Sequence, residues 1–157
     1  MILRECDLGV NDQSILAAFN CSTGASFESD VQTWIRASAV HWASDVRRAT
    51  FQRRSLAVVE DDLGATIGVV AWQDISRVDL DGIWLEVLAV DLDHQHGGTG
   101  SAMYDLTVAH LQAVARDGDH IAGLVHVDNH RCKRLLTSVG WTEVSVIDDH
   151  ELWAGNL

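Results

Sequence analysis

Apolar positions recur along this chain in two periods, every second residue and every third or fourth, and the switches between them predict its elements. Residues 2–6 are a short apolar run that predicts a strand. In 12–20, Ile15, Leu16 and Phe19 repeat at helical spacing behind Asn11 and Asp12, which are expected to cap the helix. Phe27, Val31, Trp34, Ile35, Ser38 and Trp42 then mark about four turns of a second helix, whose stripe should be buried. The β-branched runs 56–60 and 66–72 flank Asp61-Asp62-Leu63-Gly64 and predict a hairpin, with a further strand over 82–90. Residues 100–116 predict a helix with Met103, Leu106, Leu111 and Val114 on one side and Gly118 past its end. After a strand over 121–127, Asn129 can cap a short helix whose apolar face is Cys132, Leu135, Leu136 and Val139, stopped by Gly140. Segments 141–147 and 151–154 close the pattern as a hairpin around Asp148-Asp149. The order β, α, α, β, β, β, α, β, α, β, β predicts a mixed α/β fold, neither doubly wound nor all-β.

Composition narrows this further. A chain of 157 residues with 47% hydrophobic residues and no Gly/Ser linker or internal repeat is expected to be a single domain over 1–157. It contains no proline, so its turns must rest on Gly, Asp, Asn and Ser. Eleven Lys and Arg against 23 Asp and Glu give a net charge of −12, which disfavours a general polyphosphate binder and suits a cationic or amine-bearing partner. Apolar stretches such as Leu56-Ala57-Val58-Val59 fall far short of the ~20 residues that cross a bilayer. The opening residues lack a signal-peptide pattern, so a soluble cytoplasmic chain is expected. Cys6, Cys21 and Cys132 are too scattered for a disulfide framework or a CxxC metal site, which predicts reduced thiols.

The chemistry concentrates where the strand over 82–90 runs through Asp91-Leu92-Asp93-His94-Gln95-His96-Gly97-Gly98-Thr99-Gly100-Ser101 into a helix. Free amides at a helix N-terminus carry partial positive charge, and glycine lets backbone approach a phosphate without an intervening Cβ. Several amides from residues 96–101 could face one pyrophosphate. The glycines alone fit equally well a plain strand-to-helix turn. A P-loop is excluded because Gly-Lys-Ser/Thr is missing, and repeated βαβ units of a dinucleotide fold are absent.

Gln95-His96-Gly97-Gly98-Thr99-Gly100 resembles the Gln/Arg-x-x-Gly-x-Gly/Ala signature of the GNAT superfamily of N-acetyltransferases. The run from Asn129 through Leu135 and Leu136 to Gly140-Trp141 is similar to that family's second motif, an Asn followed by a short amphipathic helix ending in Gly-Phe. The resemblance is clearest over 56–141. It implies a central mixed, mostly antiparallel sheet of about seven strands flanked by about four helices. It also implies acetyl-CoA as cosubstrate, with its pyrophosphate on the amides of His96, Gly97, Gly98, Thr99, Gly100 and Ser101 beside Gln95. The pantetheine arm would lie along Leu88, Ala89 and Val90 and touch Asn129, with the Leu88 amide bonding the thioester carbonyl where negative charge grows. Glu86 interrupts an otherwise apolar strand and is the expected base for the attacking ammonium, a similarly placed acid occurring in some aminoglycoside-modifying members.

One position departs from that pattern. Leu136 stands where many members carry the tyrosine that protonates the departing sulfur, and the sole tyrosine, Tyr104, is expected on a helix face or in the core. A thiol of reference pKa near 8.5 leaves tolerably as thiolate, so water could serve instead. Leu92 replaces a frequent proline, which bears on rigidity. The eight histidines, including His94/His96 and His126/His130, show no ligand spacing with cysteine pairs, so no metal is expected. Cys132 is expected to pack. Asp79-Leu80-Asp81 and Asp148-Asp149 fit solvated turns, or a negative rim for a cationic acceptor.

The expected function is therefore acetyl transfer from acetyl-CoA to a primary amine of a small cationic molecule or a protein, by direct attack in a ternary complex. Neither nucleic acid nor membrane is an expected partner, and a homodimer is admitted. Two alternatives stay open: a non-catalytic acyl-CoA-binding module, favoured by Leu136, and a toxin-like acetyltransferase acting on aminoacyl-tRNA, suggested by Phe19-Asn20-Cys21 and opposed by the net charge.

Overall fold

A computed structural model describes residues 1–7, 9–48, 54–77, 80–115 and 119–157, with backbone alone for 41–48, 76–77 and 80–81. Among these the chain forms β1 (Ile2–Glu5), α1 (Val10–Ala18), α2 (Ser26–Arg48), β2 (Arg54–Glu60), β3 (Thr66–Arg77) and β4 (Leu80–Val90). After a 3-10 turn at Leu92–His94 come α3 (Thr99–Gln112), β5 (His120–His126), α4 (His130–Ser138), β6 (Thr142–Ile147) and β7 (His150–Asn156). The element order is the expected one. The strands build a seven-stranded sheet in the order β1-β2-β3-β4-β5-β7-β6. Every neighbouring pair is antiparallel except β4 and β5, which are parallel because α3 carries the chain from the end of one to the start of the other.

Period-2 alternation divides the sheet into two apolar faces, each covered by helices. Leu56, Val58, Val69 and Ala71 pack under α1 and α2 against Leu16, Phe19, Ile35 and Ala39. Ala57, Val59, Val70 and Trp72 pack on the other face against Met103, Tyr104 and Leu111 of α3 and Leu136 of α4. Burying both faces is what the near-continuous apolar runs of β2 and β3 require.

Strand β4 changes phase in the middle. Val87 pairs with Ala71 and Leu85 with Trp72, so Glu86 is the extra residue of a β-bulge. Before it, Ile83 and Leu85 point to the α3/α4 face; after it, Leu88 and Val90 do, while Val87 and Ala89 turn to α1 and α2. The pairing of β4 with β5 covers only Gly82, Ile83 and Trp84 against His120, Ile121 and Ala122. Beyond that seam the two strands separate. The approach is tight just before the opening, where a Cβ on Gly123 would stand 2.8 Å from the Leu85 carbonyl oxygen.

Several local expectations are corrected. Helix α1 starts at Val10 with Gly9 as its N-cap. Asp12 lies inside the helix, buried, accepting from Arg4 Nη1 at 2.9 Å and from the Asp7 amide at 2.9 Å. The carboxylate is drawn inward by a guanidinium instead of outward to cap. Val114, expected on the apolar side of α3, lies past its end and is 62% exposed. In α2 the stripe is divided: Ile35 and Ser38 are buried, while Phe27 and Val31 line a cavity. Gly118 and Asp79 lie outside the described residues, as do the side chains of Trp42, Leu80 and Asp81. Among the described residues no helix is long and apolar enough to cross a membrane.

Candidate active site

The turn between β4 and α3 is held from behind. Gln95 Nε2 donates to the Cys21 carbonyl at 2.6 Å and to the Val90 carbonyl at 3.3 Å, fastening the turn to the end of β4 and to the segment before α2. Gly97 (φ 73°) and Gly98 (φ 84°) are left-handed, a conformation that costs a side-chain-bearing residue about 1–2 kcal/mol, and a Cβ at either would meet open space. Backbone conformation, not crowding, requires glycine here. The first helical amide to find a carbonyl is that of Ala102, which bonds Gly98; among the described residues the amides of His96, Gly97, Gly98, Thr99, Gly100 and Ser101 donate to no backbone carbonyl. This is an unsatisfied donor array at the positive end of a helix dipole, the donor set that a diphosphate suits.

A cavity of about 300 Å³ opens against that array, with Gly98, Thr99, Gly100 and Ser101 on one wall and Leu88, Ala89 and Val90 on another. Gln95 and Asn129 line it too, whereas His96 and Gly97 are exposed and are not part of its lining. The sequence did not single out Phe27, Val31, Arg131 or Leu135 as cavity residues, because their apolar or exposed pattern is also that of ordinary amphipathic helices. Asn129 Oδ1 caps α4 by accepting from the Cys132 amide at 3.1 Å.

The gap between β4 and β5 continues from this cavity into a second of about 260 Å³, and Phe27, Val31, Leu88, Asn129, Cys132 and Leu135 line both. Backbone polarity along β4 follows from one bond. The Asp91 amide donates to Ile67 of β3 at 2.8 Å, so by alternation the amides of Ala89 and Val87 face β3, and those of Val90 and Leu88 face the gap. Strand β5, which elsewhere would accept from them, has moved away.

Acidic and imidazole side chains line this second cavity: Asp30 of α2, Glu86 of β4, His126 of β5, and Asp149 and His150 of the last hairpin. Glu86, brought to this face by the bulge, is 10% exposed and held bidentately by Arg54, whose Nε donates to both oxygens at 3.0 Å and whose Nη2 donates to Oε1 at 2.5 Å. It is thus neither a solvated strand acid nor an unpartnered one. The His126 ring stacks on Phe27 at 4.9 Å and meets His150 edge-on at 5.4 Å. Asp149 is the solvated turn residue expected, 66% exposed, and it also pairs with its neighbour. Its Oδ1 lies 2.6 Å from His150 Nδ1, and its carboxyl is held below the usual range chiefly by that bond.

Leu136 is buried and borders the same cavity. Beside it the Tyr104 hydroxyl accepts from Trp141 Nε1 at 2.6 Å, and burial pushes the phenol's pKa up. Tyr104 is therefore a core residue whose aromatic ring also forms cavity wall. Cys132 is largely buried at the junction of the two cavities, and burial pushes its thiol up to about 11. Among the described residues no group of three or more His, Cys, Asp or Glu is arranged to hold a metal ion.

No protein-family model matches the sequence, and no curated protein matches it. Solved structures do match in three dimensions. The PaiA N-acetyltransferase of Thermoplasma acidophilum, in complex with coenzyme A, aligns with a TM-score of 0.69 at 13% identity over 100% of both chains. A protein of Desulfovibrio desulfuricans assigned to the GNAT acetyltransferases aligns at 0.69 and 15% identity, over 99% of this chain and 98% of that one. An aminoglycoside 6'-acetyltransferase type Ii aligns at 0.66 and 16% identity, over 99% and 97%. The fold, with its strands parting beside a glycine-rich helix start, is that of the GNAT acetyltransferases.

Proposed function

We propose that this protein is an N-acetyltransferase that passes the acetyl group of acetyl-CoA to a primary amine bound in the same cleft. The observation that carries it is a pair of cavities sharing a wall beside the parting of β4 and β5, one lined by orphan amides and the other by carboxylates and imidazoles. The residues fit the cosubstrate. The amides of Gly98, Thr99, Gly100 and Ser101 would hold the diphosphate, with His96 and Gly97 at its outer edge and Gln95 fixing the turn behind it. The gap-facing backbone of Val90 would bond the pantetheine amides, with Ala89 and Asn129 as side-chain wall. The Leu88 amide is the donor for the thioester oxygen, where a preorganised N–H is worth most as charge develops. Acetyl-CoA supplies an acyl carbon whose bond to sulfur is readily broken.

The acceptor enters the acidic cavity. Glu86, Asp30 and Asp149 favour a small cationic amine or an amino group of a protein, and Glu86, fixed by Arg54, gives the ammonium a carboxylate counter-charge beside Leu88. Holding amine and thioester in near-attack geometry supplies much of the acceleration. Calorimetry should register coenzyme A binding, and acetyl-CoA incubated with a panel of diamines, an aminoglycoside and a peptide with a free α-amine should yield a product heavier by ~42 Da. Binding without any acetylated product selects the acyl-CoA-binding module, and no binding refutes both.

A further inference from the structure

We infer that His150, its proton held on Nδ1 by Asp149, is the group that takes the proton from the attacking amine. The inference rests on the acetyl-transfer proposal above and adds to it the residue that makes the ammonium nucleophilic. An ionised carboxylate only accepts, so in the pair at 2.6 Å it is His150 Nδ1 that donates. Neutral His150 then has an unprotonated Nε2, and among the described residues that nitrogen has no hydrogen-bond partner. A carboxylate fixing the imidazole tautomer so that the opposite nitrogen can receive a proton is the orienting logic of the Ser-His-Asp triad, built here from two adjacent residues.

The other candidates lining this cavity are engaged otherwise. His126 Nδ1 accepts from the Asp128 amide at 3.1 Å, so its proton resides on Nε2, 3.7 Å from Asp149 Oδ2, and neither nitrogen offers a vacant lone pair. Both oxygens of Glu86 already accept from Arg54. The hairpin also holds His150 in place. Asp148, at φ 56°, adopts the left-handed conformation that a two-residue turn needs, presenting Asp149 and His150 beside His126. The charged and titratable groups around His150 are Asp149 and Glu151 of its own hairpin and His126 and Asp128 at the end of β5. Lys133 of α4 binds Glu151 at 2.9 Å, and Asp30 and Glu86 line the same cavity.

The step balances simply. R–NH3⁺ gives one proton to His150 Nε2, leaving R–NH2 and an imidazolium. The amine lone pair forms the N–C bond, the C–S bond breaks with its electron pair on sulfur, and the second nitrogen-borne proton passes to that sulfur. His150 then returns its proton to water.

The test has a readout that does not depend on knowing the acceptor. Nitrogen-15 spectra of the imidazoles should show neutral His150 as the Nδ1–H tautomer and His126 as Nε2–H, and Asp149→Asn should release His150 from that form. With the amine that gives the best turnover, His150→Gln should lower kcat by about 100-fold at neutral pH with the KM for acetyl-CoA unchanged. Added imidazole should restore part of it, and the deficit should shrink as the pH nears the amine's own pKa, roughly 10. Finding His150 as Nε2–H, or His150→Gln turning over within about twofold of the parent while Glu86→Gln collapses, overturns the assignment and leaves acetyl transfer standing. A parent protein that binds coenzyme A and acetylates nothing overturns the acetyl-transfer proposal and this step with it.

Discussion

Cys132 shows how much a single side chain's meaning depends on what surrounds it. In the sequence it is one apolar member of a helical stripe, and that is correct as far as it goes. In three dimensions it stands where the two cavities meet, with its thiol pushed up to about 11 by burial. Reactivity requires the thiolate, so at pH 8 its alkylation should run about 100-fold slower than that of a thiol at the ordinary 9.0 and climb with pH until about 11. Peptide mapping after iodoacetamide should show this, and coenzyme A should suppress the labelling at every pH. Glu86 teaches the converse. An acid interrupting an apolar strand was legible as unusual, but its partner Arg54 lies on β2, two strands away, and no local pattern couples them. The His150–Asp149 pair was hidden for a different reason. Two polar residues at a hairpin look like any solvated turn until the neighbouring β5 places His126, itself stacked on Phe27 of α2, beside His150.

At the scale of elements, periodicity and turn residues were sufficient to order the strands and helices, because buried faces and helix stops leave local marks. The bulge in β4 left none. Ile83, Leu85, Val87 and Ala89 look like one alternating face in the sequence, whereas the extra residue at 86 assigns the first two and the last two to opposite sides of the sheet. The glycine-rich turn separates conformational from binding demands. Gly98 (φ 84°) and Gly64 (φ 81°) have nearly the same left-handed backbone, and a Cβ would meet nothing at either. Gly98→Ala and Gly64→Ala should therefore each cost about 1–2 kcal/mol in chemical denaturation. Only the former, at the start of α3, should weaken coenzyme A binding in calorimetry. Equal affinity in both variants would remove the turn from the cosubstrate site.

For the molecule as a whole, net charge and cleft chemistry act together. With −12 spread over 157 residues, and Asp30 and Asp149 lining the cavity proposed for the acceptor, a dicationic amine should be drawn in over distances comparable to the Debye length. Its KM should rise several-fold between about 20 mM and about 300 mM salt, as screening shortens that length, with kcat little changed. A neutral alkoxyamine measured in parallel should be indifferent to salt. The charge was plain in the sequence; that residues 30, 86 and 149 line one cavity was not, since α2, β4 and the last hairpin come together only through the fold. The sheet order joins a four-stranded wing to a three-stranded wing through the three residue pairs of β4 and β5. A seam this short ties the wings by backbone at one end alone, so the shared core under α3 and α4, reaching from Ala57 and Val70 to Ile121 and Trp153, is what carries load across the fork.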